Sequence, residues 1–431
     1  MSLNDTPTAE RVQIGFFGLR NAGKSSLVNR ITEQEVSLVS EVKGTTTDPV
    51  KKSMELLPLG PVTLIDTPGF DDEGSLGDMR VRRTREVIAV CDLAVLVTEH
   101  ESYNADEKEL ERLILEREIP CIRVRTKTDL KDAREQLSEE RNPEVLTEKR
   151  DPEVLTEKRD PEGLPEERNP EDLPILVSSK DGTGIRELKE RMAHIMQSRG
   201  KKRRFVADLI RPGDTVVLVI PIDGSAPRGR LILPQQMAIR DILDAGALSL
   251  VTGVEELPQA LKGLTKPPAL VITDSQAFGR VAKLLPEEIP LTSFSILMAR
   301  YKGFLKQAVA GADVLDRLPD KARILISEGC THHRQCEDIG TVKLPKWIRE
   351  YTGIEPEFTF TGGHAFPEQI RTYDLIIHCG ACMLTDREVQ NRMERAEREG
   401  VPFTNYGTAI ARMHHILDRS LRPLAGLLEE E

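Results

Sequence analysis

Two groups of residues in this chain have the types and spacing for chemistry. The first is Gly18-Leu19-Arg20-Asn21-Ala22-Gly23-Lys24-Ser25, set between the apolar run Val12-Gln13-Ile14-Gly15-Phe16-Phe17 and a helical stretch. In that context glycines let backbone N–H groups converge on phosphate oxygens. Lys24 brings positive charge to the terminal phosphates, and the Ser25 hydroxyl is offered to Mg2+. Asn21, Ala22, Gly23 and Ser26 complete the expected cradle. The second group is Cys330 together with Cys379-Gly380-Ala381-Cys382, whose thiols suit a metal or an iron-sulfur centre.

Further segments, in order, turn the phosphate loop into a guanine-nucleotide site. Asp66-Thr67-Pro68-Gly69 ends an apolar run, where Asp66 can hold Mg2+ and the loop through Gly69 can sense the terminal phosphate. Thr126-Lys127-Thr128-Asp129 follows another run; Asp129 can accept two hydrogen bonds from the N1 and N2 edge of guanine, which adenine does not reciprocate. Thr126 stands where asparagine is usual, which weakens one contact and leaves the Asp129 discrimination intact. Ser178-Ser179-Lys180 places backbone amides near the guanine oxygen. Gly44-Thr45-Thr46-Thr47-Asp48 occupies the first switch, with Thr46 as the expected Mg2+ ligand and Thr45 as the other choice. Phe70 lies where many GTPases carry a water-orienting glutamine, so slow intrinsic hydrolysis is expected. The catalytic set is then Lys24, Thr46, Asp66 and Gly69.

Leu325-Ile326-Ser327-Glu328-Gly329-Cys330 and Ile376-Ile377-His378-Cys379 each run an apolar strand into a cysteine at its carboxyl end, the edge where open parallel sheets bind ligands. Three thiolates suit a 4Fe-4S cluster with one exchangeable iron. With His332 or His378 added, the same set suits tetrahedral zinc, and residue types leave both open. Cys336 sits in a charged loop, while Cys91 and Cys121 adjoin strands and are read as core.

The elements that must position these groups follow from hydrophobic periodicity. From 10 to 200, short apolar runs alternate with amphipathic stretches, the pattern of a doubly wound α/β domain; its last helix places Ile185, Leu188, Met192 and Ile195 on one face. A nine-residue repeat starting at Arg141, Arg150, Arg159 and Arg168, with proline in each period, interrupts it, and 141–174 is read as an exposed extended insertion. Lys201-Lys202-Arg203-Arg204 is read as a linker. Two smaller α/β domains with mostly parallel sheets are expected at 205–290 and 291–431, making three domains in 431 residues. The net charge of -11 argues against broad nucleic-acid binding and against an anionic membrane surface. No apolar run reaches spanning length, and six sparse cysteines suit a reducing compartment, so a cytoplasmic protein is expected.

The nucleotide motifs resemble the translation-factor-related, TrmE/Era-like GTPases, and Asn21 resembles the asparagine of their potassium-activated subgroup. That resemblance implies K+ bound by Asn21 beside the phosphates. A GTPase domain of this type, a middle domain, and Cys330-x-His332 with His378-Cys379-x-x-Cys382 together resemble the maturation GTPases of FeFe-hydrogenases, the HydF family, over nearly the whole chain outside the repeat. The resemblance implies a GTP-hydrolysing scaffold whose Cys330, Cys379 and Cys382 hold a 4Fe-4S cluster, with His332 and His378 as candidates for a labile fourth position. It further implies a transient two-iron precursor made with two radical-SAM maturases and delivered to apo-FeFe-hydrogenase, and a middle domain that forms a homodimer. The competing expectation is a GTP-dependent RNA-modification or ribosome-assembly factor with a zinc-binding C-terminal domain.

Overall fold

Parallel strands buried on both faces read as unbroken apolar runs, and Val12–Phe17 (β1) forms the middle of such a sheet. The computed structural model describes residues 7–33, 38–42, 49–70, 75–127, 173–198, 203–222, 231–329 and 338–428. Thr46, Asp129, Cys330, His332 and the repeat within 141–172 lie outside them. The chain forms two compact units, Met1–Lys201 and Lys202–Glu431.

In the first unit the sheet continues with Leu38–Val42 (β2), Val50–Leu56 (β3), Gly60–Asp66 (β4), Leu93–Thr98 (β5), Cys121–Arg125 (β6) and Ile175–Leu176 (β7). Their order is β2-β3-β4-β1-β5-β6-β7; β2 and β3 are antiparallel additions to an otherwise parallel sheet. Successive side chains point to opposite faces, so Phe16 joins one core cluster with Leu27 and Leu188 while Phe17 joins another with Ile88 and Leu110. Ile185, Leu188 and Met192 of the helix Ile185–Ser198 are buried and Ile195 is partly so, the face that its spacing predicts. The chain enters the sheet at β1, with β4 on one side and β5 on the other. This arrangement opens a crevice at the carboxyl ends of the strands.

The second unit contains two four-stranded parallel sheets. Thr215–Val219 (β8), Leu248–Thr252 (β9), Leu270–Thr273 (β10) and Leu291–Ser293 (β11) form one, in the order β11-β10-β8-β9. Arg323–Ser327 (β12), Glu357–Thr361 (β13), Leu375–His378 (β14) and Phe403–Asn405 (β15) form the other, in the order β13-β12-β14-β15. Thus β11 is hydrogen-bonded into the middle sheet, beyond the boundary expected at 290. One core cluster runs through both sheets: Phe304 and Phe403 meet edge to face at 5.8 Å, and each such buried ring contributes roughly 2–3 kcal/mol. Polar side chains tie the same seam, with Thr404 Oγ1 donating to the Ala308 carbonyl at 2.7 Å and Asn405 Nδ2 to the Ser295 carbonyl at 2.9 Å. The α/β class, with a doubly wound N-terminal domain and further parallel α/β layers, is therefore the architecture found. Among the described residues no helix is long and apolar enough to cross a membrane.

Candidate functional site

The phosphate loop is shaped by backbone geometry that only certain residues adopt. Gly18 has φ 146°, and a Cβ there would lie 2.2 Å from the Val97 carbonyl oxygen, so the loop can press against the end of β5 only with glycine in place. Asn21, exposed at the tip, is left-handed at φ 60°, and Gly23 follows at φ 90°. The helix Lys24–Glu33 then begins, its first N–H groups aimed back at the loop. Lys24 is buried and folds its ammonium over the rim, donating to the Gly18 carbonyl at 3.0 Å and the Leu19 carbonyl at 2.6 Å.

Ser25 Oγ donates to Asp66 Oδ2 at 2.5 Å, bringing the start of that helix to the carboxyl end of β4. The other oxygen, Asp66 Oδ1, is buried without a protein partner. Burial raises the Asp66 pKa, and the Ser25 hydrogen bond with the charges of Lys24 and Lys52 pulls it the other way. A hydroxyl and a carboxylate so placed, with one orphaned oxygen, suit a hard cation such as Mg2+. Thr67 anchors the following turn by donating Oγ1 to the Phe16 carbonyl at 2.6 Å, and Gly69 continues from it, half-buried. Phe70 packs into the core with Phe17 and Ile88.

At the base end the structure revises two sequence readings. The Thr126 hydroxyl donates to the Ala22 carbonyl at 2.7 Å, within reach also of the Thr98 carbonyl at 3.2 Å, so it clamps the phosphate loop instead of facing a base. The Ser178 amide is already given to the Thr183 carbonyl at 3.0 Å, which removes it from the expected guanine contacts. Ser179 is half-buried and Lys180 exposed, and among the described residues neither amide donates within the protein. Lys127 is left-handed at φ 60° and pairs with Glu99.

The cysteine site sits at the corresponding edge of the last sheet. There β12 is flanked by β13 and β14, and the register pairs Ser327 with His378. The next residues therefore meet: the Gly329 N–H donates to Cys379 Sγ at 3.0 Å, and Cys330 follows Gly329 in the chain. The Ala381 N–H also points at Cys379 Sγ, at 3.3 Å, from a left-handed backbone at φ 57°. Two amide donors on one sulfur favour its thiolate form. Cys382 is half-buried; burial pushes its thiol up, opposed by the charge of Lys302. Lys302 is itself buried and donates to the Leu384 carbonyl at 2.8 Å and to Asp386 Oδ1 at 2.7 Å.

His378 takes a different place from the one its neighbours suggest. The ring is fully buried, with Nδ1 2.9 Å from the Cys379 carbonyl and Nε2 3.1 Å from Arg392 Nη1. Burial first, then the Arg392 charge, hold its pKa down to about 3. Arg392 and Glu388 were missed by the sequence reading. The signal in the sequence is the helical spacing of Val389, Met393 and Ala396 in Asp386–Arg398, which places Glu388 and Arg392 on the same face, where the structure buries them.

Known families match three successive stretches of the chain. The description "50S ribosome-binding GTPase" matches residues 13–127. The "tRNA modification GTPase MnmE" of Rhizobium meliloti (strain 1021) is 37% identical over 120 residues, covering 27% of this chain and 26% of the relative. That of Bradyrhizobium sp. (strain ORS 278) is 39% identical over 130 residues, covering 29% and 27%. The chain thus spans about a quarter of the length of these curated relatives, within the GTPase domain. Among solved structures, the G domain of the T. maritima FeoB transporter is similar with TM-score 0.28 and 20% identity, covering 44% of this chain and 100% of that one. Aquifex aeolicus Era bound to GDP.AlF4- is similar with TM-score 0.29 and 17% identity, covering 58% and 97%. Residues 205–303 match "Hydrogen maturase F dimerization domain" and residues 306–423 match "Hydrogen maturase F tetramerization domain". With the GTPase domain ahead of both, the chain belongs to the hydrogen maturase F family.

Proposed function

We propose that this GTPase-bearing hydrogenase maturase is a scaffold that holds a 4Fe-4S cluster and hands a two-iron precursor, prepared with two radical-SAM maturases, to apo-FeFe-hydrogenase. The observation that carries this reading is the sulfur of Cys379 at the carboxyl edge of β14, receiving N–H groups from Gly329 and Ala381 at 3.0 and 3.3 Å. Amide donors on a cysteine sulfur fit an iron-sulfur thiolate, since they offset its charge and tune the potential. Cys330, Cys379 and Cys382 would hold the cluster, with His332 the remaining candidate beside it. When bound, the cluster supplies an iron with an exchangeable coordination position. The competing RNA-modification reading draws on the GTPase segment, whereas residues 205–423 match hydrogenase maturase domains.

At the nucleotide site, Ser25, Asp66 and Thr46 would hold Mg2+, Asp129 would read guanine with the Ser179 and Lys180 amides, and Asn21 would bind K+ beside the phosphates. The burial of Phe70 supports slow intrinsic hydrolysis, because it takes no part in orienting water. The family's dimerization and tetramerization domains account for self-association. For the dimer we favour the outer strand β9, whose Leu248 and Val251 are 61% and 47% exposed and whose edge can pair with a second copy.

Reconstituted anaerobically, the protein is expected to contain iron and sulfide and, after loading with a synthetic two-iron precursor, to start hydrogen evolution by apo-hydrogenase. Absence of evolution, or stoichiometric zinc in a colourless protein, would remove the scaffold reading. GTP hydrolysis is expected to run roughly tenfold faster in K+ than in Na+, because a fixed cation beside the phosphates offsets developing charge. Equal rates in the two salts would eliminate Asn21 as a K+ ligand.

A further inference from the structure

The motif His378-Cys379-x-x-Cys382 invites a reading of His378 as a ligand, and its surroundings assign it otherwise. A carbonyl oxygen only accepts, so Nδ1, facing the Cys379 carbonyl at 2.9 Å, carries the ring proton. A guanidinium only donates, so Nε2, 3.1 Å from Arg392 Nη1, presents its lone pair to Arg392. Coordination requires a free nitrogen lone pair, and the one this tautomer has is already used. Freeing it would cost both hydrogen bonds and leave a guanidinium, 4% exposed, short of an acceptor.

Arg392 gathers the carboxyl edge of the sheet. Its Nη2 donates to the Gly363 carbonyl and to Glu388 Oε1, both at 2.8 Å, and its Nη1 lies 3.4 Å from Ser327 Oγ. Its guanidinium lies 5.3 Å from the ring centre of Phe366. Glu388 in turn meets Nδ1 of His364 at 3.0 Å, closing the network at the surface. Gly363 follows β13, Ser327 ends β12 and His378 ends β14, so one side chain spans the ends of three adjacent strands.

We infer that His378 and Arg392 form a buried brace that positions Cys379, and that His378 is a positioning residue and not a metal ligand. The bond from Nδ1 holds the peptide after Cys379, which sets the left-handed turn at Ala381 and keeps the Ala381 N–H on the cysteine sulfur. The inference rests on the proposed cluster only for what the sulfur binds; the brace itself is a property of the metal-free chain.

Alkylation of the full-length, cluster-free protein by iodoacetamide, followed residue by residue, tests it. His378→Leu and Arg392→Leu are each expected to alkylate Cys379 roughly tenfold faster than the parent, because each removes bonds that hold the loop. His378→Asn, which keeps a donor toward the Cys379 carbonyl, is expected to stay within about twofold. Unchanged rates in both leucine variants would overturn the brace. Should they fail to fold, His378→Asn decides by its electron paramagnetic resonance spectrum after reconstitution with iron and sulfide. Parent-like g-values and parent-like nitrogen coupling support positioning, and loss of a nitrogen coupling shows that His378 was a ligand. A parent protein that takes up no iron removes the cluster reading and leaves the alkylation result to judge the brace.

Discussion

Lys24→Ala is expected to lower kcat/KM for GTP hydrolysis by roughly a thousandfold, as loss of a positioned charge at a transferring phosphoryl group does. The lysine is buried and its ammonium already lies over the Gly18 and Leu19 carbonyls, so it is placed for phosphate before nucleotide arrives. Alanine removes that charge together with the two bonds to loop carbonyls, while Gly18, Asn21 and Gly23 still set the turn by their own dihedral angles. A second effect acts on Asp66, whose pKa burial raises and the Lys24 charge opposes. Without Lys24 the carboxyl stays protonated to a higher pH, so Mg2+-dependent hydrolysis should be lost earlier as pH falls. Phosphate release and binding of a fluorescent GTP analogue would measure both effects. Parent-like kcat/KM in the variant would exclude a charge-stabilising role for Lys24.

Cys379→Ser with Cys382→Ser is expected to reduce iron after anaerobic reconstitution from about four atoms per chain to less than about one, since an alkoxide replaces a thiolate poorly on iron. The sulfur of Cys379 receives two backbone N–H groups, which offset negative charge there; burial pushes the Cys382 thiol up, and the nearby Lys302 cation opposes that shift. GTP hydrolysis should stay within about twofold, because the nucleotide residues belong to the first unit and keep every contact described for them. Cys121→Ser serves as the control. Burial pushes that thiol up to about 12, which makes it inert, and its replacement should leave iron unchanged. Full iron content in the double variant would refute these two cysteines as ligands.

Local chemistry explains why much of the architecture could be read directly. The runs 93–97 and 375–377 are apolar because those strands are buried on both faces, and a glycine-rich turn after an apolar strand has few other uses. Edge strands escape that logic. Leu248–Thr252 and Glu357–Thr361 were not anticipated because they alternate, partly exposed, and owe their strand form to a single neighbour. Leu291–Ser293 was assigned across a boundary for a similar reason: three residues carry too little periodicity to announce a partner about 20 positions earlier in the chain.

Residue order alone established the P-loop domain, the run of parallel α/β layers and the kinship with hydrogenase maturases, since each depends on short-range spacing that survives without coordinates. Folding settled what each side chain is free to do. Thr126 spends its hydroxyl on the Ala22 carbonyl, Ser178 gives its amide to Thr183, and His378 is turned from a plausible ligand into a buried strut by Arg392. Those outcomes depend on which donor and acceptor are brought within 3 Å or so across the fold, and hydrogen bonds of that reach connect positions whose separation along the chain carries no trace of the contact.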